Sequence, residues 1–263
     1  MNEASQKFLE TARAAVKKAE PIFRRHFGKS TGIATKPGKV PSFVSDADKE
    51  IEALLIREIS SQFPAHSIVG EEFPAKKRSQ THTWFIDPID GTTNYIHGIP
   101  YCSISVGLFD EKGPSVGVVA DPMSGVTYHA VRGGGAFEDR KPIRVSLERR
   151  LARCLAAFGW RDARAAAALL ATLGPRVYRT RAFGSAALEL CLVARGSFDV
   201  FVAAESAIWD IAAGALILAE AGGAATDWQG NKLTTDVSGL AASNGRVHAD
   251  LLVMLRSMPP PVV

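Results

Sequence analysis

Residues 84–98 read Trp-Phe-Ile-Asp-Pro-Ile-Asp-Gly-Thr-Thr-Asn-Tyr-Ile-His-Gly, and the fold follows from how this stretch is read. Trp84, Phe85 and Ile86 form an apolar run of strand character, which leads into two aspartates three residues apart and then into a Gly91-Thr92-Thr93 turn that can open a helix. Asp87 and Asp90 can bracket divalent cations, because Mg2+ takes hard oxygen ligands and leaves its remaining positions to water or substrate phosphate. The backbone N–H groups of Gly91, Thr92 and Thr93 can receive a phosphate at a helix N-terminus. A second reading stands beside this one: Asp next to Pro and Gly is a common turn former and N-cap. The segment alone leaves both open.

Outward on the N-terminal side, Gly70-Glu71-Glu72 follows the short apolar run of residues 67–69, which puts acids at a strand end, where open sheets carry ligands. A helix is expected over residues 45–62, with Ile51, Leu54, Leu55 and Ile59 on its inner face, and Ser45-Asp46-Ala47-Asp48 fits a capping box. Phe8, Leu9, Ala12, Ala15, Val16, Ala19, Ile22 and Phe23 define an earlier amphipathic helix ending before Gly28. Pro21 is expected to kink or break it. Residues 31–41, rich in Gly, Pro and Lys, read as a loop.

On the C-terminal side, strands are expected over residues 101–109, 115–121 and 126–131. Asp121 to Gly125 turns a hairpin between the last two, within an antiparallel sheet. Beyond about residue 148 the texture alternates: helices over residues 163–173 and 185–195, a strand over 198–202 and a helix over 210–220. Asp210 sits where that last helix begins, a place for a cap, a site ligand or both. The expected organisation is α/β (α+β) in two closely packed lobes, residues 1–148 and 149–263, with no low-complexity linker between them.

Composition sets outer limits. Of 263 residues, 46% are hydrophobic and 22% charged, ordinary globular values. No run approaches the roughly 18 apolar residues of a membrane span, and the polar start lacks a signal core, so cytoplasmic residence is expected. The net charge of +4 comes from scattered Lys and Arg without interleaved aromatics, which argues against a nucleic-acid groove. Cys102, Cys154 and Cys191 have no metal-ligand spacing and read as reduced, buried thiols. His97 reads as an ordinary surface or hydrogen-bonded histidine, and Gly133-Gly134-Gly135 as a tight turn, because no Lys-Ser or Lys-Thr follows it.

Taken together, GEEF at 70–73, WFIDPIDGTTNYIHG at 84–98, WDIAAG at 209–214 and EAGG at 220–223 resemble, in order and spacing, the signature set of the inositol monophosphatase family. The resemblance runs from Lys36 to Gly223. It implies a layered α-β-α-β-α sugar-phosphatase sandwich, a homodimer, and a site holding two to three Mg2+ ions. By motif, Glu71, Asp87 and the Ile89 carbonyl match the first metal position; Asp87, Asp90 and Asp210 match the second. Thr92 matches the residue that orients the attacking water and Asp48 the one that hydrogen-bonds it, with Ser45 where the family has threonine. Asn94, Gly184, Ser185, Ala186, Glu205 and Asp210 fall where the family holds the leaving group, with Arg181 a further candidate.

The implied activity is hydrolysis of a small phosphomonoester, inositol monophosphate or a related polyol or sugar phosphate, by metal-activated water. GTTNY is similar to the inositol monophosphatase branch and to archaeal-like dual fructose bisphosphatase relatives, more than to the GTK or GTR variants of the nucleotide- and histidinol-phosphate branches. The family glutamate that meets inositol has no direct match, since Ala203 stands at its position and Glu205 is displaced by two. Histidinol phosphate, fructose 1,6-bisphosphate and phosphoadenosine nucleotides are the alternative substrates on the same metal site. A non-catalytic role in RNA or protein binding is the alternative of a different class, although no nucleic-acid or membrane partner is expected.

Overall fold

The computed structural model describes residues 3–29, 32–36, 42–79, 81–160, 163–234 and 239–258. The first helix, α1 (Glu3–His26), buries Leu9, Ala12, Ala15, Val16, Ala19 and Phe23 along one stripe. It runs through Pro21 without a break, contrary to expectation. Pro21 and Lys17, the residue whose carbonyl the missing N–H would have met, both lie on the exposed face, so water can satisfy that carbonyl. The loop expected over residues 31–41 is also corrected: β1 (Ala34–Lys36) pairs antiparallel with β2 (Ser42–Val44), and residues 37–41 lie outside the described residues. Next come α2 (Asp46–Gln62), β3 (Ser67–Gly70), β4 (Thr83–Asp90), the short α3 (Thr92–Ile96), β5 (Ser103–Asp110), β6 (Gly113–Asp121) and β7 (Val126–Val131). Two small strands that the sequence did not announce, β8 (Ala136–Glu138) and β9 (Lys141–Pro142), finish the sheet. Its order is β3-β4-β5-β6-β7-β8-β9; β3 and β4 are parallel and every other pairing is antiparallel.

The second half contributes β10 (Leu155–Gly159), α4 (Ala163–Leu173), β11 (Arg179–Arg181), α5 (Ala186–Ala194), β12 (Val200–Ala203), α6 (Ile208–Glu220), β13 (Ala224–Thr226), β14 (Leu240–Ser243) and α7 (His248–Leu255). Their sheet runs β11-β10-β12-β14-β13, with β10 parallel to both its neighbours. The strand expected over 198–202 begins two residues later, and the helix expected from Asp210 begins at Ile208.

Side chains alternate across each sheet and so assign the layers. Trp84 and Ile86 join Phe23, Ile51, Leu55 and Ile59 beneath α1 and α2, whereas Phe85 and Val119 face Leu190, Phe201, Ala212 and Ala213 on the side of α5 and α6. The outer face of the five-stranded sheet, through Phe158, Val200 and Val202, meets Leu169 and Leu173 of α4 and Leu251 and Leu255 of α7. The result is an α-β-α-β-α sandwich, the fold class expected.

Two glycines set how closely α6 lies on the large sheet. A Cβ on Gly117 would stand 2.6 Å from the Ala213 carbonyl oxygen, and one on Gly107 would stand 2.8 Å from the Ala213-adjacent Ala212 Cβ. Their bare backbones let the amino end of α6, with Asp210, approach the end of β4.

Candidate active site

Asp87 and Asp90 belong to β4 itself, so the turn-former reading is corrected. In a regular strand residues three apart point to opposite faces. Here Asp87 pairs with Ser105 and Asp90 with Ser103, so three steps on β4 oppose two on β5. This bulge absorbs Pro88, which cannot donate to the ladder, and turns both carboxylates toward one cavity. The chain then bends at Gly91, whose φ of +91° and the Gly184 carbonyl oxygen, 3.0 Å from any Cβ there, admit only glycine. α3 opens immediately, as the Gly-Thr-Thr turn predicts.

The cavity measures about 310 Å3. Of the residues singled out from the sequence, Glu71, Asp87, Ile89, Asp90, Gly91, Thr92, Thr93, Gly184, Ala186, Glu205 and Asp210 line it. The others stand just behind. Asp48 is buried at the start of α2: its Oδ2 accepts from the Ser45 N–H (2.7 Å) and hydroxyl (2.6 Å), the expected capping box, and its Oδ1 is buried without a partner. Ser185 donates to Asp90 Oδ2 at 2.5 Å. Asn94 spends its amide on backbone, donating to the carbonyls of Tyr101 (2.8 Å) and Phe183 (2.5 Å) and thereby tying the two sheets together. Arg181 is exposed and bonds the neighbouring Thr180 carbonyl.

Asp87, Asp90 and Asp210 already have local ties. The Ile89 N–H donates to Asp87 Oδ1 (2.9 Å), and the Thr92 hydroxyl to the Ile89 carbonyl (3.0 Å). Asp90 receives the amino end of α5 through the Ala187 N–H (2.8 Å) and the Ala186 N–H (3.2 Å). Asp210 is the third residue of α6 and accepts from the Ala207 N–H (2.9 Å), so it caps the helix from within and not as the N-cap.

Burial and mutual repulsion strain these groups. Burial pushes the Asp87 carboxyl well above the usual range, and the charges of Glu71, Asp90, Asp210 and Asp48 push it further. Burial raises Asp90 to about 6 against the pull of its hydrogen bonds, and raises Asp48 to about 7. A cluster of like charges removed from water is stabilised by a cation. Among the described residues, no three such side chains stand in a finished ligand cage. The hydrogen bonds explain this: Asp90 is turned onto α5 and Asp210 onto its own helix. The residues that line the cavity nevertheless include four carboxylates, Glu71, Asp87, Asp90 and Asp210, with Ile89 between two of them, and hard oxygen donors of this kind are what Mg2+ prefers.

Sequence reasoning missed the opposite wall. Gly159, Trp160, Glu189, Phe201 and Ser206 line the cavity there, beside Ala203, which the sequence marked only as the position of a missing glutamate, and Phe43 of β2 adds to the lining next to α3. Only Glu189 carried a signal, as the single charge in the otherwise apolar AALELCLVA of α5. It is buried, accepts from the Phe183 N–H at 3.0 Å, and burial lifts its carboxyl to about 8.

Motifs outside the cavity have structural duties. His97 hydrogen-bonds the Thr93 carbonyl at an exposed position, and the three cysteines are free and buried. Gly133–Gly135 is a tight turn held by Glu220 of the EAGG motif, which accepts from the N–H groups of Gly133 (2.7 Å) and Gly135 (2.9 Å). Among the described residues, no helix is long and apolar enough to cross a membrane.

Comparison with known proteins gives a consistent picture. The family model described as "Inositol monophosphatase family" matches residues 4–258. Inositol monophosphatase 2 of Solanum lycopersicum is 39% identical over 254 residues, 92% of this chain and 95% of the relative. A fructose-1,6-bisphosphatase/inositol-1-monophosphatase of Aquifex aeolicus is 36% identical over 229 residues, 85% of this chain and 87% of the relative. The solved structure of an IMPase from Thermotoga maritima superposes with a TM-score of 0.89 at 32% identity, covering 95% of this chain and 97% of that one.

Proposed function

The chain belongs to the inositol monophosphatase family and is a phosphoric monoester hydrolase, and from that premise we propose that it hydrolyses inositol monophosphate or a related polyol phosphate with the help of two to three Mg2+ ions. The observation that carries this reading is the convergence of Glu71, Asp87, Asp90 and Asp210 on one cavity beside the amino end of α3. In this reading Glu71, Asp87 and the Ile89 carbonyl hold one ion, while Asp87, Asp90 and Asp210 hold the next. When bound, Mg2+ lowers the pKa of a coordinated water and neutralises charge on the phosphoryl and leaving oxygens.

The protein groups supply position. The N–H groups of Gly91, Thr92 and Thr93 receive the phosphate. The Thr92 hydroxyl, fixed by its bond to the Ile89 carbonyl, orients the attacking water. Asp48, with its open Oδ1, accepts a hydrogen bond from that side of the site. Gly184, Ala186, Glu205 and Asp210 surround the leaving alcohol, with Asn94 and Ser185 supporting them from behind the cavity. Phosphoryl transfer of this kind requires positioning and charge neutralisation and no protein nucleophile, and the buried cysteines agree with that. The working enzyme in this reading is a cytoplasmic homodimer.

A second substrate reading, fructose 1,6-bisphosphate, is favoured by the name of the Aquifex aeolicus relative. The test is phosphate release from inositol 1-phosphate, fructose 1,6-bisphosphate, histidinol phosphate and phosphoadenosine phosphate across a Mg2+ series, for the wild type and Asp90→Asn. Mg2+-dependent turnover of the inositol ester, lost in the variant, is expected. Preference for the bisphosphate would transfer the assignment to the second reading, and equal inertness of both proteins would sink the catalytic one.

A further inference from the structure

α2 carries two buried acids one turn apart, Asp48 and Glu52, each with no exposed surface. Glu52 does not line the cavity. Its carboxylate instead reaches under the turn that follows β3, where Oε2 accepts from the Glu72 N–H (2.8 Å) and Oε1 from the Phe73 N–H (3.0 Å). Gly70 makes this possible: a Cβ there would sit 2.0 Å from Glu52 Oε1 and 2.4 Å from its carboxyl carbon. An interior carboxylate is costly, and it is tolerated where its oxygens are met by hydrogen bonds such as these.

Between the two ties stands Glu71. Gly70 pairs with Ile86 in parallel register, so Glu71, the first residue past the end of β3, stands beside Asp87, which is still within β4. Upstream, Glu71 is fixed by the last pairing of an edge strand, and downstream by two N–H groups on Glu52.

We propose that Glu52, admitted by Gly70, is a positioning residue for the metal side of the site: it fixes the turn of residues 71–73 so that Glu71 meets the cation shared with Asp87. This rests on the Mg2+ reading given above. Glutamine in its place keeps the volume but has one acceptor oxygen where two N–H groups wait, so the turn is held at one point only.

The test is Mg2+ titration by calorimetry, with the Mg2+-induced rise in Tm as a second readout, for the wild type, Glu52→Gln, Gly70→Ala and Leu55→Ala. Leu55 is a fully buried apolar residue of the same helix, and its truncation serves as a control for simple destabilisation. Glu52→Gln and Gly70→Ala are expected to weaken Mg2+ binding by roughly ten- to a hundredfold, the usual scale for residues that orient metal ligands. The double variant should be little worse than either single one, because both break one contact. Leu55→Ala should lower Tm and keep the Mg2+ affinity. Activity of Glu52→Gln should recover at saturating Mg2+. Unchanged affinity in Glu52→Gln and Gly70→Ala, or equal weakening in Leu55→Ala at matched loss of Tm, would overturn the proposal and leave Glu52 a structural tie. Absence of Mg2+ binding in the wild type would overturn the metal reading as well, so the two failures are told apart by the wild-type titration.

Discussion

The two walls of the cavity are made of opposite materials. The acidic wall gathers Glu71, Asp87, Asp90 and Asp210 from a strand end, a bulge and a helix start, and burial together with neighbouring negative charge pushes the Asp87 and Asp90 carboxyls up. The facing wall consists of Gly159, Trp160, Gly184, Phe201 and Ala203, with Glu189, Glu205 and Ser206 as its polar points. One wall stores unfavourable negative charge that a bound cation would relieve; the other offers shape and a few hydrogen bonds. For the proposed reaction, this difference would put control of rate mainly on the acidic side and choice of alcohol mainly on the other.

The largest expected break in that comparison comes from Asp87→Asn. Phosphate release should fall by something on the order of 10³-fold, the scale of losing the preorganised charge neutralisation that a cation held by Asp87 would supply. The metal-free protein should at the same time become more stable, because the Asp87 carboxylate is buried and is also opposed by four neighbouring acids. Scanning calorimetry without Mg2+ checks the second half, and a lower Tm would mean that the repulsion inferred here is not felt. Trp160→Ala is the counterpart on the other wall. Trp160 is 37% exposed at the cavity edge, and its truncation should raise KM for a polyol phosphate about tenfold, equivalent to about 1.4 kcal/mol of binding. kcat and the Mg2+ requirement should hardly move. A fall in kcat of the same size would place Trp160 on the reacting side and erase the division of labour.

The same contrast explains what the sequence disclosed. The acidic wall was legible because its chemistry is written in short, contiguous runs: GEE, DPIDG and WD each put a carboxylate at an element boundary, where local patterning is easiest to read. The bulge was not foreseen, although Pro88 between two aspartates is its cause, because a strand and a turn make the same local demand for Asp and Pro. The facing wall was largely illegible. β10 is the five-residue LAAFG, too short and too alanine-rich for a clear period, and β13 and β14 are AAT and LAAS. Small residues suit strands squeezed between two helical layers, and they carry little intrinsic preference for the strand state. Gly159, Trp160, Phe201 and Ala203 meet only through long-range pairing of β10 with β12, which no local window contains. Glu52 escaped notice for another reason: on an amphipathic helix of charged and apolar residues, one more glutamate looks solvated, and only the packing of Gly70 beneath it reveals otherwise.

The subtlest prediction concerns Glu189, the acid of the facing wall whose shift comes chiefly from burial. Burial raises Glu189 from the ordinary 4.5 to about 8, so between those values the folded protein retains a proton that the unfolded chain has released. Unfolding then gives up a proton, and stability must fall as pH rises through this window. The contribution is complete below about pH 4.5 and is lost once pH passes the folded value near 8. Glu189→Gln keeps an acceptor for the Phe183 N–H and cannot titrate, so its stability should lack this component. In metal-free protein the Tm curves of wild type and variant should run together near pH 5 and separate toward pH 8, the variant declining less, by a few degrees in total for a chain of this size. Some slope should remain in the variant, because Asp48, Glu52 and Asp90, raised to about 7, 7 and 6, act with the same sign. Saturating Mg2+ should remove much of that residue, since a cation favours the ionised acids of its own wall, and leave the Glu189 difference in place. Parallel wild-type and Glu189→Gln curves would mean that Glu189 is ionised in the folded protein at neutral pH, and the facing wall would then share the charge stress assigned here to the acidic side alone.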